Sequence, residues 1–352
     1  MKLFMSYYGE FCGFSLKDNI CEEVISKSFS DITDFFSKAS FDKGTIAIGY
    51  SSEAHKSCAY SISVGVAEHG NNALILEDCA LPAFLYTSKK LNVKAGIYIK
   101  RVNPLVIMLF DSFGIPLNTD FLLHASNCRT GEGNISTFNQ ADLFYLSNLK
   151  SIAGNDFSAD ASISCGNNKI RNIWRKFFND KSDSLSLQIS NDGFCVNAYS
   201  NQIGFISHEK LMLAYSVCLM KNNIPPILPD YVHFIADELA DKFNSRVIRY
   251  SQSCSEKISD QLFTCDPLFL CIMLMSQKKD FISLCKEIPD FYTAKREEAS
   301  SDCAEKSIFG INGKITVTHS GKNRITIAAQ AYNAETASEL CGDYISNLKK
   351  FK

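Results

Sequence analysis

Between Thr45 and Phe110, short uninterrupted apolar runs alternate with longer segments of helical period, and this alternation restricts the fold more than anything else in the chain. Thr45 to Gly49, Ala73 to Leu76 and Ala95 to Ile99 are apolar without a polar face. That is how strands read when both faces of their sheet are covered. Ser57 to His69, stopped by Gly70, and Pro82 to Leu91 lie between them and read as helices. Strand, helix, strand, helix, strand is the order of a parallel sheet flanked by helices. The apolar run Pro104 to Phe110 suits one more buried strand and is far too short to span a bilayer.

The rest of the chain divides by its punctuation. Ile20, Val24, Ile25, Phe29, Ile32, Phe35 and Phe36 predict a helix over residues 18–38, with Asp18 as its cap. Asn127 to Ser136 reads as a polar loop, and Leu143 to Lys150 as the helix leaving the first unit. A polar linker is expected from Ala153 to Asn168, then a helix from Ile170 to Phe178. Leu185, Leu187 and Ile189 alternate into Asn191-Asp192-Gly193 and on to Phe194–Tyr199, a hairpin signal. Glu209 to Met220 is helical, and Pro225, Pro226 and Pro229 mark a boundary. Asp230 to Phe243 predicts a helix, Arg246 to Tyr250 a strand and Leu268 to Met275 a buried helix. The charged segment Lys295 to Lys306 reads as a second linker. Lys314 to Thr318, a Ser-Gly turn, Ile325 to Ala331 and a helix from Ala334 to Leu348 form a small β-β-α module. The expected units are therefore 1–150, 151–224, 225–300 and 301–352.

Charge and cysteine usage narrow the function classes. Lys and Arg number 36 against 38 Asp and Glu, so there is no basic field and no nucleic-acid partner is expected. The 14 cysteines are scattered, with no C-x-x-C pair, so a zinc site has no support. The first residues lack a basic patch followed by an apolar run, as a signal peptide would need. Reduced thiols in a cytoplasmic protein are the expectation, with no membrane partner. His55, His69, His124, His208 and His233 are not clustered and read as surface residues.

The order of these features resembles the α-D-phosphohexomutase superfamily of phosphoglucomutases, phosphomannomutases and phosphoglucosamine mutases. Ala95, Gly96, Ile97, Ile99, Asn103 and Pro104 agree with that family's A-G-I-x-I-T-A-S-H-N-P stretch. Gly114 and Pro116 resemble the Gly-x-Pro that follows it. Asp266 and the segment after it resemble the helical end of the third domain. Thr318 to Arg324 and Ile325 to Ala329 resemble the phosphate loop and strand of the fourth. The resemblance implies a multi-domain α/β fold: α/β/α sandwich domains with mixed, mostly parallel sheets, and a small C-terminal α+β domain. It covers most of the chain, with the second domain shortened.

For such a family the resemblance also implies a phosphoserine, a Mg²⁺ loop, sugar-reading groups and a phosphate clamp. Most of these letters differ here. Arg101 stands at the serine position and Val102 at the neighbouring His. A guanidinium stays protonated and carries no phosphoryl group. The metal loop's three acids are reduced to Asp192, which reads more readily as a hairpin turn, so no metal or other cofactor is expected. In the sugar loop only Ser253 agrees. The best-kept part is the last, where His319, Ser320, Gly321, Lys322 and Arg324 form either a phosphate site or an ordinary hairpin turn. Lys100, Arg101 and Asn103 are candidates for the crevice at a strand's carboxyl end, or else a solvated loop. The expectation is a degenerate, catalytically inactive homologue. It would bind a phosphorylated sugar or other anion, a protein partner or an active paralogue. The alternative is a divergent active mutase of carbohydrate metabolism, an intramolecular phosphotransferase.

Overall fold

The computed structural model describes residues 2–5, 12–15, 43–102, 105–112, 114, 131–182, 184–229, 232–250, 261–277, 280–299, 306–321 and 324–350. The helix expected over 18–38 lies outside them, as do His124, Asn103, Ser253 and Lys322.

The first unit is a seven-stranded sheet. Its strands are β1 (Lys2–Met5), β2 (Cys12–Ser15), β3 (Thr45–Tyr50), β4 (Asn72–Leu76), β5 (Ala95–Val102), β6 (Leu105–Asp111) and β7 (Ile135–Phe138), in the order β1-β2-β6-β5-β3-β4-β7. β3 pairs in parallel with β4 and β5, and β4 with β7. β6 returns antiparallel along β5. Helices α1 (Lys56–Glu68) and α2 (Leu81–Lys90) pack on the sheet, and α3 (Ala141–Ala153) packs on α2. The alternation read from the sequence is thus present. β7 was missed, since its first two residues fall in the expected loop 127–136. It is an edge strand with three of four residues exposed, so it carries no apolar pattern.

Two glycines, Gly49 and the family-like Gly96, make room for packing. A Cβ on Gly49 would lie 2.3 Å from Phe84 Cδ2, and one on Gly96 3.0 Å from the same ring. Phe84, on α2, is fully buried and also meets Tyr98 at 5.3 Å and Phe110 at 6.2 Å between centroids. The ring is therefore seated on bare backbone of β3 and β5, which locks α2 to the sheet.

The second unit contains β8 (Ala159–Asp160), β9 (Ser162–Ser164), α4 (Asn168–Trp174), β10 (Phe178–Asn179), β11 (Leu185–Ile189), β12 (Val196–Ser200), β13 (Gly204–Ile206) and α5 (His208–Lys221). Its main sheet has the order β13-β12-β11-β9. The hairpin is where the sequence placed it. The linker expected over 153–168 is instead structured: Ala161, Ile163 and Cys165 are buried in the core. The helix expected over 170–178 ends at Trp174, and Phe178 lies in β10.

The third unit holds β14 (Ile227–Pro229), α6 (Ile235–Lys242), β15 (Ile248–Tyr250), α7 (Pro267–Met275) and α8 (Phe281–Lys286), with β14 and β15 parallel. Pro229, one of the three prolines read as a boundary, ends a short buried strand. The last unit is β16 (Tyr292–Ala299), β17 (Lys306–Gly310), β18 (Gly313–Gly321), β19 (Arg324–Ala331) and α9 (Ala334–Lys350), an antiparallel sheet in the order β16-β19-β18-β17. The charged residues 295–299, expected as linker, are the end of edge strand β16, and the β-β-α module is β-β-β-β-α.

One apolar cluster runs through the first three units. It joins Ala80, Ala83, Tyr145 and Leu149 to Trp174, Leu187, Leu211, Leu268 and Cys271. At its centre Tyr145 Oη donates to Asp266, 2.7 and 2.8 Å from the two carboxylate oxygens, while Asp266 caps α7 by accepting from Phe269 N at 2.9 Å. Asp266, aligned with a family letter, is thus a helix cap and a bolt between units. Among the described residues no helix is long and apolar enough to cross a membrane. Nine cysteines among the described residues are free thiols, seven of them buried.

Gly49→Ala should destabilise the fold by about 1–3 kcal/mol through overpacking. The same change beside Phe84→Ala should cost less than alone, because the ring it strikes is gone. Additive losses in denaturant titrations would contradict the close-approach account. Burial raises the Asp266 pKa to about 6, against its hydrogen-bond donors. The unfolded group titrates near ~3.9, so the folded state holds the proton more tightly and stability falls as pH rises from about 4 to about 6. Asp266→Asn keeps the cap and should flatten that segment of the stability–pH curve.

Candidate functional site

The carboxyl ends of β3 and β5, the turn after β4 and the β11–β12 hairpin turn are joined by contacts where the first and second units meet, the place of the expected crevice. β5 continues through Lys100 and Arg101 to Val102, where a loop was expected after Ile99. Its register on β6 shifts between Ile99, opposite Ile107, and Arg101, opposite Val106. Lys100 is therefore the unmatched residue of a β-bulge, a device that redirects a side chain. Arg101, at the nucleophile position of the resemblance, is a strand residue.

Lys100 Nζ forms an ion pair with Asp192 Oδ2. Asp192 belongs to the turn joining β11 and β12, and its side chain is 10% exposed while that of Lys100 is 37% exposed. The other oxygen, Oδ1, accepts from Ser190 Oγ at 2.5 Å and from Phe194 N at 3.1 Å. Ser190 Oγ also accepts from Cys195 N at 2.9 Å, and Gly193 N donates to Ser190 O at 2.9 Å. Gly193 has φ +74°, and a Cβ there would press on Ile170 and Pro82. The turn is thus clamped from within and wedged against α2 and α4. Burial pushes the Asp192 carboxyl up, but Lys100, Ser190 and Phe194 outweigh it and its pKa is lowered. The carboxylate is charged wherever the protein is folded near neutral pH.

A second contact crosses the crevice with the opposite polarity. Lys169, from α4, reaches Asp78 Oδ2 at 2.9 Å and Asp142 Oδ2 at 3.2 Å in the first unit, and donates to the Asp78 carbonyl. Asp142 also accepts from Ala80 N at 2.9 Å, fixing the start of α2. Burial pushes the Lys169 pKa down, yet the two carboxylates outweigh it and the net shift is upward. Asp78 stands at φ 42°, a backbone held in the left-handed region beside these contacts. Tyr98 Oη donates to Cys79 O at 2.9 Å and ties the same turn to β5.

Sequence reasoning missed Lys169, Asp78 and Asp142, whose partners are far apart in the chain, and it misjudged the histidines. His233 is fully buried and His69 nearly so. His55, directly after β3, is half-buried with no hydrogen-bond partner for Nδ1, and burial lowers its pKa.

The residues at the metal loop do not fit Mg²⁺. Such an ion takes hard oxygen ligands in a near-octahedral shell. Both oxygens of Asp192 already accept from protein donors, and no group of three His, Cys, Asp or Glu among the described residues is arranged to hold a metal. The C-terminal candidates lie apart from this crevice in sequence. His319, Ser320 and Gly321 end β18 and Arg324 begins β19, with Gly321 opposite Arg324 and a register shift between His319 and Gly321. They lie on two paired antiparallel strands. β18 passes beside β1, at the edge of the first sheet. A groove of about 480 Å³ lies elsewhere, between Asp160, Ser184, Ser200, Gln202 and Asp280.

Neither a protein-family model nor a curated protein sequence matches the chain. Solved structures do. A phosphoglucomutase/phosphomannomutase family protein from Burkholderia thailandensis superposes with TM-score 0.67 at 10% identity, over 97% of each chain. A putative phosphomannomutase from Thermus thermophilus gives 0.65 at 12% identity, over 99% of this chain and 100% of the other. The phosphoglucomutase parafusin from Paramecium gives 0.54 at 10% identity, over 99% and 95%.

Lys169→Met should leave Asp142 largely buried without its cation, at a cost of about 3 kcal/mol. Adding Asp142→Asn should restore part of the loss. Denaturant midpoints within about 0.5 kcal/mol of wild type would show that the contact is only a surface pair.

Proposed function

From a chain with the phosphoglucomutase/phosphomannomutase fold, we propose a phosphohexomutase homologue without mutase chemistry, which acts by binding a phosphorylated sugar or a similar anion. The observation that carries this reading is the Lys100–Asp192 ion pair. Phosphoryl transfer rests on positioning and on neutralising the charge of the moving group. The turn corresponding to the metal loop offers one carboxylate, and a lysine is already seated on it. The strand that corresponds to the nucleophile loop carries Arg101 where a serine would be required. Lys100, the more exposed partner of its ion pair, favours an anionic ligand over a neutral one, whereas Lys169 is taken up by Asp78 and Asp142. The common apolar core of three units favours a fixed binding scaffold. The free, mostly buried thiols favour a reducing, cytoplasmic setting.

The test is direct. Purified protein given the 1-phosphates of glucose, mannose and glucosamine, with Mg²⁺ and a bisphosphate activator, should yield no 6-phosphate. Calorimetric titration with the 6-phosphates should show saturable binding to at least one. Turnover in the first assay would contradict the reading, as would the absence of binding in the second.

A further inference from the structure

We propose that Lys100 is the resident cation of this crevice, a tethered ammonium standing where a metal-dependent relative would hold a divalent ion. This deepens the binding role proposed above and rests on it for the ligand, but not for the exclusion of metal.

Four observations converge. The β-bulge at Lys100 takes that residue out of the β5–β6 register and directs it to the second unit. Its ammonium meets Oδ2 of Asp192, while Ser190 Oγ and Phe194 N hold Oδ1. A metal ion at Oδ2 would have to displace the ammonium to gain a single carboxylate oxygen, and could use Oδ1 only by displacing two protein donors as well. The carboxylate is shielded and the lysine half-open, so the positive partner is the one an incoming ligand meets. Finally, the turn is braced by Gly193 against Ile170 and Pro82, and Asn167 Nδ2 donates to Asn191 O at 3.1 Å. The acid therefore cannot swing away to complete a metal shell with other residues.

The physical consequence concerns charge. One ammonium paired with one carboxylate adds no net charge, and the lysine side chain is the more exposed of the two. An ammonium offers three donors and no fixed coordination geometry. A phosphate oxygen can share it without any metal ion. Binding of a phosphorylated ligand is therefore independent of divalent cations.

The test uses Mn²⁺ alone as the first probe, read by paramagnetic broadening of the amide signals of residues 190–195. In the wild-type protein these signals should stay sharp. In Lys100→Met and Lys100→Gln, which expose Asp192, Mn²⁺ should broaden them, and Asp192→Asn added to either should remove the effect. Broadening in the wild type overturns the proposal. So does its absence from both lysine variants, because Lys100 would then not be what keeps the ion out. The second probe is glucose 6-phosphate with and without a chelator. Affinity should not change on chelation. It should fall by roughly tenfold or more in the lysine variants, the loss of one charge-assisted hydrogen bond, and persist in Asp192→Asn. Metal-dependent binding, or lysine variants that bind like wild type, would overturn it. A wild type that binds no phosphosugar defeats the ligand reading, while the Mn²⁺ result still decides whether Lys100 is the resident cation.

Discussion

A carboxylate that is buried must be neutralised where it stands, and Asp192 imposes that requirement on everything around it. Moving an ionised group out of water costs several kcal/mol unless a counter-charge and hydrogen bonds replace the lost hydration. Here the counter-charge comes from Lys100, a neighbouring hydroxyl from Ser190 and an amide from Phe194. Lys100 reaches the acid because β5 bulges at that residue. The turn holds its shape because Gly193 accepts a left-handed backbone and lets α2 and α4 close on it. One buried charge thus couples the end of a strand in the first unit to a turn in the second.

The same junction is held by a mirror arrangement. Lys169 of the second unit sits on Asp78 and Asp142 of the first, and Tyr145 and Asp266 tie the first unit to the third. Around these polar contacts the apolar cluster is continuous. Polar pairs inside such a core add little net stability but are costly to break singly. They fix which surface of one unit faces which surface of the next.

Much of the framework was legible in the sequence. Strands buried on both faces announce themselves as apolar runs, so β3, β4, β5 and β6 and the helices between them were found within a residue or two, apart from the longer C-terminal end of β5. Strands at edges do not. β7 and β16 are largely exposed, and Lys295 to Glu298 in β16 look like linker because a sheet edge tolerates charge. The two- and three-residue strands of the second unit are too short for any period. Two of the letters that carried the resemblance have structural roles: Gly96, like Gly49 beside it, makes room for Phe84, and Asp266 caps a helix. Asp192 was correctly read as a hairpin turn, yet its partner lies 92 positions earlier and no local pattern links the two. A pair of that kind is set by how β5 and the hairpin pack together.

The account stands on a cation site in which protein has taken the place of metal. Crystals of the wild-type protein grown with Mn²⁺ test this most directly, through anomalous scattering collected near the manganese edge. The account predicts no anomalous peak at the 190–195 turn and continuous contact between Lys100 Nζ and Asp192. A peak bonded to Asp192, with Lys100 turned away, would contradict it.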